Sequence, residues 1–211
     1  MPDTPTAQVV VLAGPSGAGK THLADRLGIP VLRLDDFYKD GDDPSLPRIV
    51  AGPNAGLPDW DDPRSWHREE ALAALTALCR AGRADVPYYD IAHDGRSGTH
   101  TIELGGWPIF VAEGIFAQHV ARPLRAAGLL AGAYCVTQRP IVTFWRRLVR
   151  DVREHRKPLP VLLRRGLALR RQQRSIVEDA VAHGCTAATP HEIDEAVRPL
   201  VRAARGARAP R

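Results

Sequence analysis

The reading of this chain turns on Gly14-Pro15-Ser16-Gly17-Ala18-Gly19-Lys20-Thr21. The stretch fits G-x-x-x-x-G-K-[ST], the pattern of a phosphate-binding P-loop. The residue types supply the reason. Gly14, Gly17 and Gly19 lack a Cβ, so the backbone can enter positive φ and curl its N–H groups inward. With Pro15, Ser16 and Ala18 between them, and a helix N-terminus following, these donors form a cradle for polyphosphate. Lys20 is placed to reach the β- and γ-phosphates of a triphosphate. The Thr21 hydroxyl is placed to hold Mg²⁺.

The flanks agree with the motif. Gln8-Val9-Val10-Val11-Leu12-Ala13 is a continuous apolar, β-branched run and reads as a buried parallel strand. Thr21 to Leu27 reads as a helix closed by Gly28. Strand, loop and helix follow in the order the motif needs, which disfavours a chance glycine turn.

Composition narrows the class. A chain of 211 residues with 44% apolar content suits one globular domain, 1–211, with an inserted lid. No apolar run reaches the roughly 20 residues of a membrane span. The N-terminus shows no basic or apolar signal region, so a cytoplasmic location without membrane association is expected. Cys79, Cys135 and Cys185 are widely spaced and read as reduced thiols. The eight histidines are scattered, and nothing in their spacing suggests zinc. The net charge is +5, but 139–174 is strongly basic while 1–70 is acidic. Such asymmetry fits either nucleic acid or a cationic lid over a triphosphate, and the P-loop favours the lid. Lysine occurs only at Lys20, Lys39 and Lys157 among 29 basic residues.

Along the chain, Ile29 to Leu34 is a second strand ending in Asp35-Asp36-Phe37-Tyr38. Carboxylates there sit at the active edge of an open α/β sheet. Either Asp35 or Asp36 could act as a base toward a hydroxyl; alone, the pair reads as turn or cap aspartates. Residues 40–67 read as a long Pro- and Gly-rich loop, functional or disordered. Asp59-Trp60-Asp61-Asp62-Pro63 in it offers acids for sugar hydroxyls, or a solvated turn with Ser65 capping the next helix. Trp66 to Ala81 has helical periodicity. Val86 to Asp90 and Thr99 to Leu104 suggest a hairpin turning at Asp94–Gly98. A tyrosine on it either stacks on a planar base or packs across the strands. Pro108 to Ala112 is a third core strand, ending in Glu113 and Gly114. An acid so placed suits a Mg²⁺ partner, and Gly114 permits close approach. Ala133 to Thr137 is a fourth strand.

Ile141 to Lys157 reads as an amphipathic helix with Arg146, Arg147, Arg150 and Arg153 on one side. As a cluster these suit phosphate oxygens; singly, each suits a solvated face. Val161 to His183 is mostly helical. Thr189-Pro190-His191-Glu192 starts a last helix running to about Ala204, and 205–211 is expected to be disordered.

Taken together, GPSGAGKT (14–21), LDDFY (34–38), DWDDP (59–63), VPYYD (86–90) and FVAEGIFA (110–117) resemble the uridine kinase family. Phosphoribulokinases and bacterial pantothenate kinases are its relatives. RRLVRD (146–151) is similar to that family's lid helix. The resemblance implies a three-layer α/β/α P-loop fold with a parallel sheet, a β-hairpin and an Arg-rich helical lid at about 139–165. It implies ATP and Mg²⁺ held at residues 14–21, with Glu113 at the metal beside Thr21. It makes Asp35 the base, Asp61 a holder of ribose hydroxyls and Tyr89 the hairpin aromatic near the base. Arg147 and Arg150 become lid residues on substrate and phosphates, catalytic with Lys20 and Asp35. His155-Arg156-Lys157 departs from the family's R-G-R, and 158–211 matches poorly.

The expectation is an ATP-dependent kinase acting on a small hydroxylated substrate, most directly the 5′-OH of uridine or cytidine. Kinases of pantothenate or a sugar phosphate, and a non-catalytic nucleotide-binding regulator, are the rivals. Nucleic acid is not expected as a partner; a homo-oligomer is left open.

Overall fold

The computed structural model describes residues 5–137 and 174–208. A five-stranded sheet, all of its strand pairs parallel, forms the centre. Its strands are β1 (Gln8–Ala13), β2 (Val31–Arg33), β5 (Ile109–Glu113), β6 (Leu130–Val136) and β7 (Thr186–Ala188), in spatial order β2-β5-β1-β6-β7. β3 (Arg83–Asp90) and β4 (Gly95–Glu103) form a separate antiparallel hairpin.

β1 shows why three layers form. Val9 and Val11 point into one core, with Leu75 and Leu78 of α2 (Arg68–Ala81) and Val120 and Leu124 of α3 (Gln118–Ala126). Val10 and Leu12 point into the other, with Leu23 of α1 (Lys20–Leu27) and Ile193, Val197 and Val201 of α4 (Pro190–Arg208). Alternate residues of a strand face opposite sides, so a continuous apolar run commits both faces to helices. Residues 174–182 are also helical.

Several expectations are corrected. α2 begins at Arg68, and Ser65 does not cap it. Ser65 is buried in the 3₁₀ turn Pro63–Ser65, its hydroxyl donating to the Asp62 carbonyl at 2.7 Å. Asp62 caps that turn by accepting from the Arg64 N–H at 2.8 Å. The hairpin turns at 91–94, with Asp94 at φ 48°, and Gly95–Gly98 belongs to β4. α3 and β7 have no counterpart in the sequence reading. α3 is short and carries Pro123 inside it, which hides its periodicity. β7 is three residues long.

The Thr189–Glu192 start of α4 is present as read. The Thr189 hydroxyl donates to Glu192 Oε2 at 2.8 Å, and the Glu192 N–H donates back at 3.3 Å. The helix continues past Ala204 through Arg208, contrary to expected disorder from 205. Ala204 is buried, and the Arg205 guanidinium donates to the Leu27 carbonyl at 3.4 Å, which holds this last turn against α1. The loop 40–58 has local order. Arg48 and Pro58 form an antiparallel bridge, the Ile49 N–H donates to the Leu57 carbonyl at 2.9 Å, and Leu46 is buried.

Candidate active site

The P-loop leaves β1 at Ala13 and enters α1 at Lys20. Gly14, Gly17 and Gly19 adopt φ values of 129°, 81° and 93°. Gly14 has a second constraint: a Cβ there would lie 2.8 Å from the Val136 carbonyl oxygen at the end of β6. The α1 N-terminus has neither a side-chain cap nor an acid in its first turn. The first-turn N–H groups and positive dipole end therefore suit an anion. Lys20 is buried, and its ammonium donates to the Gly14 and Pro15 carbonyls at 2.8 and 3.3 Å.

Glu113 ends β5, in register with Leu12 of β1 and Arg33 of β2. It is 6% exposed, and its Oε1 accepts from the Thr21 hydroxyl at 3.0 Å. Burial raises its pKa, partly offset by the Lys20 charge. A hydroxyl and a carboxylate held side by side are hard oxygen donors of the kind Mg²⁺ takes, so Thr21 and Glu113 fit that ion.

Asp35 lies just past β2, in the 3₁₀ turn Leu34–Phe37, anchored by the buried Leu34 and Phe37. The Trp66 indole donates to the Leu34 carbonyl at 2.7 Å and fixes the turn from beneath. Asp35 Oδ1 accepts from the Ile115 N–H at 3.1 Å. A Cβ on Gly114 would stand 2.9 Å from that same oxygen, so only glycine lets the end of β5 come this close. Burial raises the pKa of Asp35, opposed chiefly by Lys20. Asp36 is placed differently. Burial raises its pKa too, and the Tyr89 backbone N–H, on the hairpin, stabilises its charge. Of the adjacent pair, Asp35 shares the field of Lys20 and Glu113, whereas Asp36 faces β3.

Beyond Asp35 stands an aromatic wall centred on Tyr38. Its ring lies 5.7 Å from Trp60, 5.8 Å from Tyr89 and 5.9 Å from Phe116, centroid to centroid. The Tyr38 hydroxyl donates to the Trp60 carbonyl at 3.2 Å, and that of Tyr89 to the Lys39 carbonyl at 3.3 Å. Burial holds both phenols neutral, pushing the Tyr89 pKa up to about 12. Burial and, after it, the charges of Asp35 and Asp61 raise the pKa of the Tyr38 phenol. Sequence reasoning missed Tyr38; its place directly after LDDF was the available signal. Tyr89 is packed in the wall, while its neighbour Tyr88 is exposed, since successive residues of a strand face opposite sides. Asp61 is exposed. Arg147, Arg150 and the lid at 139–165 lie outside the described residues.

The structure thus brings Lys20, Thr21, Glu113 and Asp35 to one edge of the sheet, with Tyr38, Tyr89 and Asp61 beside them. No family model matches the chain. Over 122 residues it is 33% identical to the inorganic pyrophosphatases TTM1 and TTM2 of Arabidopsis thaliana. That match takes in 55% of this chain but only 17% and 16% of theirs, so the chain spans a small part of their length. Among solved structures, it is similar to a candidate fructose transport system kinase from Silicibacter sp. TM1040. The TM-score is 0.57 at 20% identity, covering 90% of this chain and 91% of the other. A candidate uridine kinase from Bacillus stearothermophilus aligns with a TM-score of 0.45 at 21% identity, over 65% of this chain and 74% of that one. The chain shares its fold with the first of these structures: a three-layer sandwich around a parallel sheet, of the P-loop type, with an added hairpin.

Proposed function

We propose that this chain is an ATP-dependent kinase that phosphorylates a hydroxyl of a small molecule, most directly the 5′-OH of a pyrimidine nucleoside. The observation that carries this reading is the second carboxylate. A P-loop that only binds or switches on a nucleotide needs Lys20, Thr21 and one strand-end acid. Here Asp35 is added, oriented by the Ile115 N–H and within the field of Lys20 and Glu113. A buried carboxylate whose pKa is raised accepts a proton more readily than an exposed one.

The roles follow. Residues 14–19 and the α1 N-terminus bind and orient the triphosphate. Thr21 and Glu113 would hold Mg²⁺, which when bound neutralises charge on the phosphate oxygens. Lys20 leaves its carbonyl partners for the γ-phosphate. Asp35 takes the proton of the acceptor hydroxyl as its oxygen bonds the γ-phosphorus and the bond to the bridging oxygen breaks, releasing ADP. Tyr38 and Tyr89 wall the acceptor site, and Asp61 on its open side accepts from sugar hydroxyls. Arg147 and Arg150 stabilise charge on the transferred group.

The test is ADP release with ATP and Mg²⁺ against nucleosides, pantothenate, fructose and sugar phosphates. Uridine or cytidine stimulating ADP release supports the full reading. Stimulation by another acceptor keeps the kinase and replaces the substrate. Phosphate release from pyrophosphate, with no acceptor-dependent ADP, would favour the activity named for the Arabidopsis relatives and overturn it.

A further inference from the structure

A second constellation stands apart from the P-loop. His119, on the first turn of α3, meets Asp179 and His183 at the end of the helical stretch 174–182. One ligand atom from each lies within 4.8 Å of the others. His119 and His183 are half-buried, while Asp179 is exposed and leaves a path from solvent.

The hydrogen bonding sets ring nitrogens of the two histidines face to face. His183 Nδ1 lies 2.9 Å from the Asp179 backbone carbonyl, which can only accept, so this nitrogen carries the proton. His183 Nε2 is then a lone pair, facing His119 Nδ1 at 3.2 Å. If His119 Nδ1 donates to it, His119 Nε2 is a lone pair. That atom is buried, makes no hydrogen bond and has Asp179 Oδ2 at 3.9 Å. If His119 is protonated on Nε2 instead, two lone pairs oppose each other at 3.2 Å. With the proton on His119 Nε2, on the side of Asp179 Oδ2, the facing lone pairs of His119 Nδ1 and His183 Nε2 repel each other, and a metal ion bound by both of them and by the carboxylate turns that repulsion into ligation.

The surroundings are already set for ligation. The His183 contact to a backbone carbonyl is the outer-shell bond that orients a ligating histidine. Gln118 Nε2 donates to Asp179 Oδ2 at 2.9 Å and orients the carboxylate. The Arg122 guanidinium donates to the Ala182 carbonyl, and that of Arg125 to the Gly184 carbonyl at 2.9 Å, pinning the turn onto α3. Asp179 and His183 are four residues apart, which puts both on one helical face.

We infer that His119, Asp179 and His183 form a binding site for a borderline transition-metal dication of the Zn²⁺ class, with a fourth position open to water. Two imidazole nitrogens and one carboxylate favour such an ion over Mg²⁺. Tetrahedral ligation needs ligand atoms roughly 3.4 Å apart; the two imidazole nitrogens already face each other at 3.2 Å, and all three ligand atoms lie within 4.8 Å of one another. The ion clamps the stretch before β7 to α3, independently of what the P-loop site does.

The experiment is calorimetric titration of the full chain with Zn²⁺ in the presence of excess Mg²⁺. Saturable one-to-one binding is expected, with affinity falling about tenfold or more in His119→Gln and in His183→Gln. The melting temperature of the unaltered chain should rise with Zn²⁺, and those of the variants should not. No saturable binding to the unaltered chain overturns the proposal and leaves a shared proton as the occupant. Affinity in both variants equal to that of the unaltered chain, or loss of binding in Glu113→Gln instead, also overturns it.

Discussion

In the reaction proposed above, Lys20 and the two carboxylates near it carry the chemistry, and burial together with the lysine's charge sets the state of both acids. Lys20→Ala should lower turnover by about 10²-fold or more, since it removes charge at the transferring phosphate. Asp35→Asn is more informative. The amide oxygen can still accept from the Ile115 N–H, so the turn should survive. Turnover should fall by about 10²- to 10⁴-fold with ATP binding retained, the signature of a lost base; loss of ATP binding would instead place Asp35 at the metal. Stability should move the other way. Burial raises the pKa of Asp35, and of Glu113, above the ordinary carboxylate value. Between the ordinary and the raised value the folded chain holds protons that the unfolded chain has lost, so stability falls as pH rises through that window. Asp35→Asn should therefore melt higher than the unaltered chain near neutral pH, with the gap narrowing on acidification. Thermal melts across pH would show this, and a lower melting point at neutral pH would refute it.

At the scale of elements, the site depends on how the Leu34–Phe37 turn is wedged between β5 and α2. Gly114→Ala tests one side of the wedge. Its Cβ would meet Asp35 Oδ1 and Leu34 Cβ, both at 2.9 Å. The turn has to shift, and a misplaced base should cost on the order of tenfold in kcat or more, with the circular dichroism unchanged. Trp66→Phe tests the other side. It keeps the buried ring but strips the Leu34 carbonyl of its donor. An orphaned buried acceptor costs about 1–3 kcal/mol, and each kcal/mol shifts Tm by about 2–4 °C in a chain this size. Unchanged Tm and kcat in this variant would mean that water replaces the indole.

For the whole molecule, two cores on opposite faces of one sheet hold the P-loop and Asp35 in a common frame. The α1–α4 face is further joined by ion pairs. Asp194 is 7% exposed, with Arg26 at 3.3 Å and Arg198 also paired to it. Both arginines are half-exposed, which weakens the attraction. Asp194→Ala should therefore cost only about 1 kcal/mol, seen as a small fall in Tm. The Michaelis constants should not change, because α4 supplies no residue to the site. A large rise in KM for ATP would show that α4 docking instead sets the posture of α1 and its P-loop.

Residues 8–28 were legible without coordinates. Their signals are local: an apolar β-branched run, glycines where the backbone must turn back on itself, and a glycine closing the helix. Glu113 and Gly114 were legible for the same reason, standing where a buried strand stops. The sequence also placed an acid after β2, but Asp35 and Asp36 differ by one residue and local chemistry cannot separate them. That choice is made by the β2-β5-β1 order, which brings Gly114 and Ile115 against one acid and the hairpin against the other. The aromatic wall draws on Tyr38, Trp60, Tyr89 and Phe116 from four separate segments, and the histidine cluster joins α3 to a stretch some sixty residues on. Such contacts follow from crossover connections and sheet order, which no spacing along the chain encodes. The sequence determined the phosphate loop, the strands and the kind of chemistry; the tertiary structure decided which acid faces the lysine and which distant side chains meet, because those depend on packing rather than on neighbours in the chain.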